Sequence, residues 1–148
     1  VRGGEPSMNP YLPEILKLAS ENFNEIYLET NGEWLLKKTE FNKLFKSCKA
    51  NGVVVKISCD SMHATDPEEL NRMVTRLQNY NIKYVIAVTE KNRKDFFSFV
   101  RTIPFINLNK IIFQKFAKTI NEVMMESCVG VINYSGNYVS QVNSRFKK

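Results

Sequence analysis

The sequence predicts an α/β fold built on parallel strands, and three observations support this class. From Asn9 onward, helical and strand patterns alternate at the spacing that βα units need. Two strand patterns, Val53–Cys59 and Ile82–Val88, are almost continuously apolar, which is typical of buried parallel strands. The length of 148 residues, with 43% hydrophobic and 24% charged residues, fits one compact fold and excludes a disordered chain.

The first two helices and the strand between them have clear boundaries. A helix over Leu12–Asn22 has one apolar face and begins after an Asn-Pro start signal. A strand over Glu25–Glu29 follows and ends in Thr-Asn-Gly at residues 30–32, where Asn and Gly tolerate a left-handed turn. A second helix over Thr39–Ala50 carries apolar residues at positions i, i+3, i+4 and i+7.

The pattern then continues through further βα units. Asp66 and Pro67 form an N-cap with proline at the first helical position, so a helix follows the strand Val53–Cys59. The later predicted elements are a strand over Ile82–Val88, a helix over Asn92–Thr102, a strand over Lys110–Phe116 and a short helix over Thr119–Glu126.

The last segment differs from the parallel array. Val129–Tyr134 and Tyr138–Asn143 flank a Gly-containing connection of hairpin length. We therefore expect two units: a parallel α/β unit over residues 1–127 and an antiparallel β-hairpin extension over residues 128–148.

Composition excludes several functional classes. The net charge of +6 comes from short basic groups such as Lys91–Lys94 that are separated by acids, so we do not expect a nucleic-acid partner. Three widely spaced cysteines fit reduced thiols in a cytoplasmic chain. No run of about 18 continuous apolar residues occurs, so we expect no membrane span.

Residues with useful chemistry lie where the predicted strands end. In a parallel sheet, ligands collect at the carboxyl ends of the strands, because the connecting loops converge there. Ser58 and Asp60 end one strand, share a face with Lys56 and follow the Thr-Asn-Gly turn of the preceding strand. Gly-Gly-Glu-Pro at residues 3–6 precedes the first helix, and Gln114 lies near the end of the fourth strand.

Three of these elements together resemble the radical S-adenosylmethionine enzyme family. In order they read Gly-Gly-Glu-Pro at residues 3–6, Glu-Thr-Asn-Gly at residues 29–32 and Val-Lys-Ile-Ser-x-Asp at residues 55–60. About one βα unit separates each element from the next. The resemblance implies a partial (β/α)6 barrel, of which this chain would contribute parallel strands two to six.

The resemblance also implies how S-adenosylmethionine would bind. The glycine pair would let the backbone approach the methionine end of the cofactor, and the Glu5 carboxylate would receive its ammonium. Ser58 and Asp60 would face the methionine carboxylate and the ribose. The complete implied set is Gly3, Gly4, Glu5, Pro6, Thr30, Asn31, Ser58, Asp60 and, beside the adenosine, Gln114.

One feature of the family is absent from the sequence. Family members bind a 4Fe-4S cluster through a CxxxCxxC motif that lies upstream of Gly-Gly-Glu-Pro. Cys48, Cys59 and Cys128 do not have this spacing, and we expect them to be inert thiols rather than metal ligands. We therefore expect the C-terminal part of a longer enzyme, inactive by itself. A missing N-terminal segment or partner chain would supply the cluster, an electron donor would reduce it, and the substrate would be a small molecule or a peptide.

Two alternatives stay open at this point. A non-catalytic half-barrel module that keeps the pocket and pairs with another chain would also lack the cluster motif. A basic α/β protein that binds RNA would account for the positive net charge. His63, just past Asp60, is a candidate for substrate contact or proton donation, and equally for a loop histidine bonded to the backbone.

Overall fold

The computed structural model shows an α/β protein with a four-stranded parallel sheet. It describes residues 1–2, 4–37, 41–59, 66–90, 93–103, 107–115, 131–132 and 138–139. The helices are α1 (Leu12–Asn22), α2 (Glu33–Leu36), α3 (Asn42–Ala50), α4 (Pro67–Asn79) and α5 (Arg93–Val100), with 3-10 turns over Pro6–Met8 and Leu108–Lys110. The strands are β1 (Tyr27–Thr30), β2 (Val54–Cys59), β3 (Tyr84–Glu90), β4 (Ile111–Lys115), β5 (Val131–Ile132) and β6 (Tyr138–Val139).

The strands follow one another across the sheet in the order of the chain, without a reversal. Strands β1, β2, β3 and β4 lie side by side in the order of the chain, and all three pairs are parallel. Glu29 pairs with Lys56, and Ser58 pairs with Ala87. Because crossovers between adjacent parallel strands are right-handed, this order carries successive helices to the same face of the sheet.

The first residue of the chain lies along the outer edge of β1. The Val1 nitrogen donates to the Tyr27 carbonyl at 2.6 Å, and the Val1 carbonyl accepts from the Glu29 N–H at 3.0 Å. These two bonds have the pattern of a parallel ladder. Val1 therefore lies beside β1 as a further parallel strand would, and Arg2, Gly4 and Glu5 lie at the carboxyl end of β1.

The core lies on one face of the sheet. Burial alternates along β2, where Val55, Ile57 and Cys59 are buried and the residues between them are half-buried. The buried side chains of the strands and those of the helices form a single apolar cluster. Among the described residues, the opposite face carries Glu29 and Lys56, which are half-buried, and Ala87, which is buried. We call it the open face, because none of these three residues belongs to the apolar cluster.

An aromatic group joins α2, α3 and α4. The Phe45 ring lies 4.8 Å from Trp34 and 4.4 Å from Tyr80, and the Arg76 guanidinium packs on Phe45 at 4.6 Å. Arg76 also donates to the carbonyls of Leu35 and Lys37 at the end of α2. Aromatic stacking and charge-assisted bonds to orphan carbonyls thus hold this short helix in place.

The strands and helices predicted between residues 12 and 116 are present, with ends shifted by up to three residues; α3 begins at Asn42 rather than at Thr39. The predicted cap of α4 is confirmed, because the Asp66 carboxylate accepts from the Glu68 N–H at 2.9 Å. Helix α2 was not predicted, since four residues are too few to show helical periodicity. Residues 119–126 lie outside the described part of the chain.

The C-terminal prediction is only partly covered by the described residues. Strands β5 and β6 pair antiparallel, with Val131 opposite Val139 and Ile132 opposite Tyr138. The connecting residues lie outside the described part, so the hairpin extension and the boundary after residue 127 stay predictions. In the described part of the chain, no helix is long and apolar enough to cross a membrane.

Candidate functional site

A cleft of about 550 Å³ opens at the carboxyl ends of β1 and β2. Gly4, Glu5, Thr30, Asn31 and Ser58, all predicted site residues, line it together. The parallel sheet explains the convergence, because the ends of adjacent strands and the loops that follow them meet at one edge. Two further charged residues line the same cleft, Arg2 and Glu29.

The Glu5 carboxylate is held by three hydrogen bonds. Its Oε1 accepts from the Thr30 hydroxyl at 2.7 Å and from the Ser7 N–H at 3.1 Å, and its Oε2 accepts from the Asn31 N–H at 2.8 Å. A carboxylate has about four lone-pair sites. Among the described residues one acceptor site, on Oε2, therefore stays available to a ligand in the cleft.

The Thr30 hydroxyl is the centre of this network. It is 3% exposed and accepts from the Trp34 indole N–H and the Gly32 N–H, both at 3.1 Å. Both of those groups can only donate, so they occupy the two lone pairs of the hydroxyl oxygen and leave its proton for Glu5. Trp34 thus fixes the orientation of Thr30, and Thr30 fixes that of Glu5.

Gly32 makes this arrangement possible. Its φ of +84° is left-handed, and it turns the chain from β1 directly into α2. The turn places Trp34 four residues after Thr30, with its ring buried against Phe45. A Cβ on Gly32 would lie 2.7 Å from the Met73 sulfur, so Met73 would have to shift to accommodate a side chain there.

A second group of charges lies on the open face just below the strand ends. The Glu29 carboxylate contacts Arg2 Nε at 3.4 Å and Lys56 Nζ at 3.1 Å. Lys56 and Glu29 face each other across the β1–β2 ladder, as their register requires. Glu29 thus joins two cations that reach it from different segments.

The remaining predicted residues have different positions. Pro6 begins the 3-10 turn that Glu5 caps and is not among the residues lining the cleft. Gln114 belongs to β4, opposite Thr89 of β3, and its side chain is outside what the structure describes. Gly3, Asp60 and His63 lie outside the described residues, so their roles stay predictions.

Sequence reasoning missed two residues that shape this cleft. The motifs do not predict Trp34 as a site residue, although its spacing of four from Thr30 across a Gly turn is a usable signal for a hydrogen bond. They do not predict Arg2 either, because its partner Glu29 is distant in sequence and is brought near only by the strand-like pairing of Val1.

Metal binding has no support among the described residues. They contain no group of three His, Cys, Asp or Glu side chains that could hold a metal ion. Cys48 and Cys59 are both buried in the core, as expected for inert thiols. Burial raises the pKa of the Cys48 thiol from its ordinary value of 9.0 to about 12, so it is a poor thiolate ligand.

The Cys48 thiol predicts a pH dependence of stability. Between pH 9 and 12 the folded chain keeps this proton and the unfolded chain loses it, so unfolding becomes easier as the pH rises. We expect the free energy of unfolding to fall above pH 9 by about 1.4 kcal/mol per pH unit from this group. Urea unfolding at pH 8 to 10.5 would show a smaller fall in Cys48→Ala; equal slopes in both proteins would contradict the prediction.

Comparison of the chain with protein-family models, with curated proteins and with solved structures gives no significant match. The geometry of the cleft and the motifs of the sequence are therefore the observations that bear on function.

Proposed function

We propose that this chain is the S-adenosylmethionine-binding portion of a radical S-adenosylmethionine enzyme. The observation that supports this proposal most directly is the position of the Glu5 carboxylate. Thr30 and Asn31 orient it in a cleft at the strand ends, and it keeps one acceptor site available. An ammonium group is a fitting ligand for such a carboxylate, since a charge-assisted hydrogen bond is about twice as strong as a neutral one.

The winding of the sheet supports the partial (β/α)6 barrel in this proposal. In a doubly wound fold the strand order reverses at a switch point, and helices cover both faces. Here the order is sequential, and the core lies on one face. In a barrel, the uncovered face turns inward and the helices form the outer ring. The open face with Glu29 and Lys56 would then line the barrel interior.

The described residues fit the methionine end of the cofactor. A Cβ placed on Gly4 would meet no atom within 4 Å, so the backbone there borders open space. Ser58 lines the same cleft from β2 and can donate a hydroxyl bond to a carboxylate or a ribose. When bound, the cofactor would supply the adenosyl group used in the family's radical chemistry, and this chain would bind and orient it.

The described residues do not fit an iron-sulfur cluster, and no reaction step through a cluster is derived from them. Two of the three cysteines are buried on the helix side of the sheet, away from the cleft. In the proposal, the cluster, the electron donor and the rest of the barrel therefore belong to an N-terminal segment or a partner chain. The substrate, a small molecule or a peptide, would enter from the open face.

The test is an anaerobic titration of S-adenosylmethionine into this chain and into a form extended upstream by roughly one hundred residues. We predict that Glu5→Gln weakens binding by about 10-fold or more, because the ammonium loses a charged partner. Glu14→Gln is the matched control, since Glu14 is an exposed carboxylate that pairs with Lys43 on the helices. Absence of binding in both forms, or equal affinity in Glu5→Gln, would contradict the proposal.

The described residues also fit a second candidate, the non-catalytic half-barrel module, because they contain neither a metal-binding group nor an exposed thiol. A module of this kind would bind S-adenosylmethionine in the extended form but would not cleave it under reducing conditions. Cofactor cleavage by the extended form separates the two candidates.

A further inference from the structure

The charged group formed by Arg2, Glu29 and Lys56 is not explained by cofactor binding through Glu5. Its three side chains belong to the start of the chain, to β1 and to β2, and they meet on the open face of the sheet. The Glu29 and Lys56 side chains are each 19% exposed, and that of Arg2 is 39% exposed. Glu5 adds a second carboxylate to the same cleft, so the two cations are balanced in the free chain and exceed the unpaired carboxylates by one when a cofactor ammonium binds Glu5.

The hydrogen-bonding capacity of this group is also unbalanced. Glu29 Oε2 lies 3.4 Å from Arg2 Nε, and Glu29 Oε1 lies 3.1 Å from Lys56 Nζ. A guanidinium carries five N–H donors and an ammonium carries three. In the described part of the chain, the terminal nitrogens of Arg2 have no further protein partner, so donors exceed acceptors around Glu29 in a cleft that Ser58 also lines.

We propose that Arg2 and Lys56 bind an oxyanion carried by the substrate, a carboxylate or a phosphate. A guanidinium presents two parallel N–H donors to such a group, and a lysine adds a point charge. Glu29 holds both cations in place and limits their mutual repulsion. This inference rests on the proposed function, because the same cleft must hold the cofactor.

The position of the cations favours the substrate over the cofactor as the source of the anion. Lys56 precedes Ser58 by two residues on the same face, which places it about 6–7 Å deeper along the strand. Glu29 likewise precedes Thr30, the residue that orients Glu5. The cofactor's amine belongs at the strand ends, whereas the cations lie below them on the face that would line the barrel interior.

The test uses inorganic phosphate as the probe. Phosphate is titrated into the labelled chain at constant ionic strength, and NMR follows the Arg2 Nε–H and the backbone N–H of Ser58. We expect saturable shifts, and we expect Arg2→Gln and Lys56→Gln each to weaken phosphate binding by about 10-fold, the loss of one charge-assisted bond. Lys43→Gln is the matched control, because Lys43 pairs with Glu14 on the helices. Shifts that do not saturate, or equal affinity in all three variants, overturn the proposal.

A second arm identifies the source of the anion. S-adenosylmethionine and methylthioadenosine, which lacks the amino-acid part, are titrated into the same proteins in the extended form. If the cations serve the substrate, Arg2→Gln leaves cofactor affinity within about 2-fold, and phosphate still binds to the cofactor-saturated protein. If Arg2→Gln weakens only S-adenosylmethionine and the cofactor displaces phosphate, the anion is the cofactor's own carboxylate and the proposal fails. If phosphate still binds but Glu5→Gln leaves the affinity for S-adenosylmethionine unchanged, the proposed function is refuted and the anion site is not.

Discussion

Replacing Thr30 with Val is expected to destabilise the chain by about 2–6 kcal/mol, although the two side chains have nearly the same shape. The change removes the hydroxyl that receives the Trp34 indole N–H and the Gly32 N–H, both of which are buried. Each buried donor left without a partner costs about 1–3 kcal/mol. Thermal unfolding should show a fall in Tm of roughly 10 °C for a chain of this size.

The same substitution should also weaken cofactor binding, because Glu5 Oε1 loses its shortest contact, the Thr30 hydroxyl at 2.7 Å. Thr30→Ser is the matched control: it keeps the hydroxyl, and its affinity for S-adenosylmethionine should stay near that of the parent chain. A double-mutant cycle with Trp34→Phe isolates the bond between the indole and the hydroxyl. Additive losses in that cycle, or equal stability of the Val and Ser variants, would show that the hydroxyl is not the centre of the network.

Much of the parallel sheet could be predicted because its signals are local. The apolar run of β2 and the Asp-Pro cap of α4 depend on residues adjacent in sequence, and the described elements agree with them. Helix α2 could not be predicted this way. It exists because Trp34 and Leu35 are buried and because Arg76, 41 residues after Leu35, bonds its carbonyl. Tertiary contacts of that range leave no periodic pattern in the sequence.

The candidate site could likewise be predicted only in part. Its position at the strand ends followed from the order of the motifs, and Glu5, Thr30 and Ser58 do meet in one cleft. The pairing of Arg2 with Glu29 was not predictable, since it depends on the register in which Val1 lies along β1. Motif spacing indicates which loops converge, whereas the partner of each charge depends on strand register.

A large loss from a single methyl group is expected for Gly32→Ala, at about 2–5 kcal/mol. Gly32 has a φ of +84°, where an L side chain costs about 1–2 kcal/mol. The added Cβ would lie 2.7 Å from the Met73 sulfur and 3.4 Å from Ile57 Cγ2, so the core must also shift, which costs typically 1–3 kcal/mol. Chemical denaturation measures the sum of the two effects.

Gly52 separates the backbone cost of this substitution from the packing cost. Its φ is +63°, also left-handed, but a Cβ there would meet no atom within 4 Å. Gly52→Ala should therefore cost only the backbone part, about 1–2 kcal/mol. In a Met73→Ala background, where the close sulfur is gone, Gly32→Ala should approach the cost of Gly52→Ala. If Gly32→Ala costs no more than Gly52→Ala in the parent chain, the turn does not press against α4. The inference that contact between Gly32 and the core holds the Thr30 and Glu5 network in place would then be wrong.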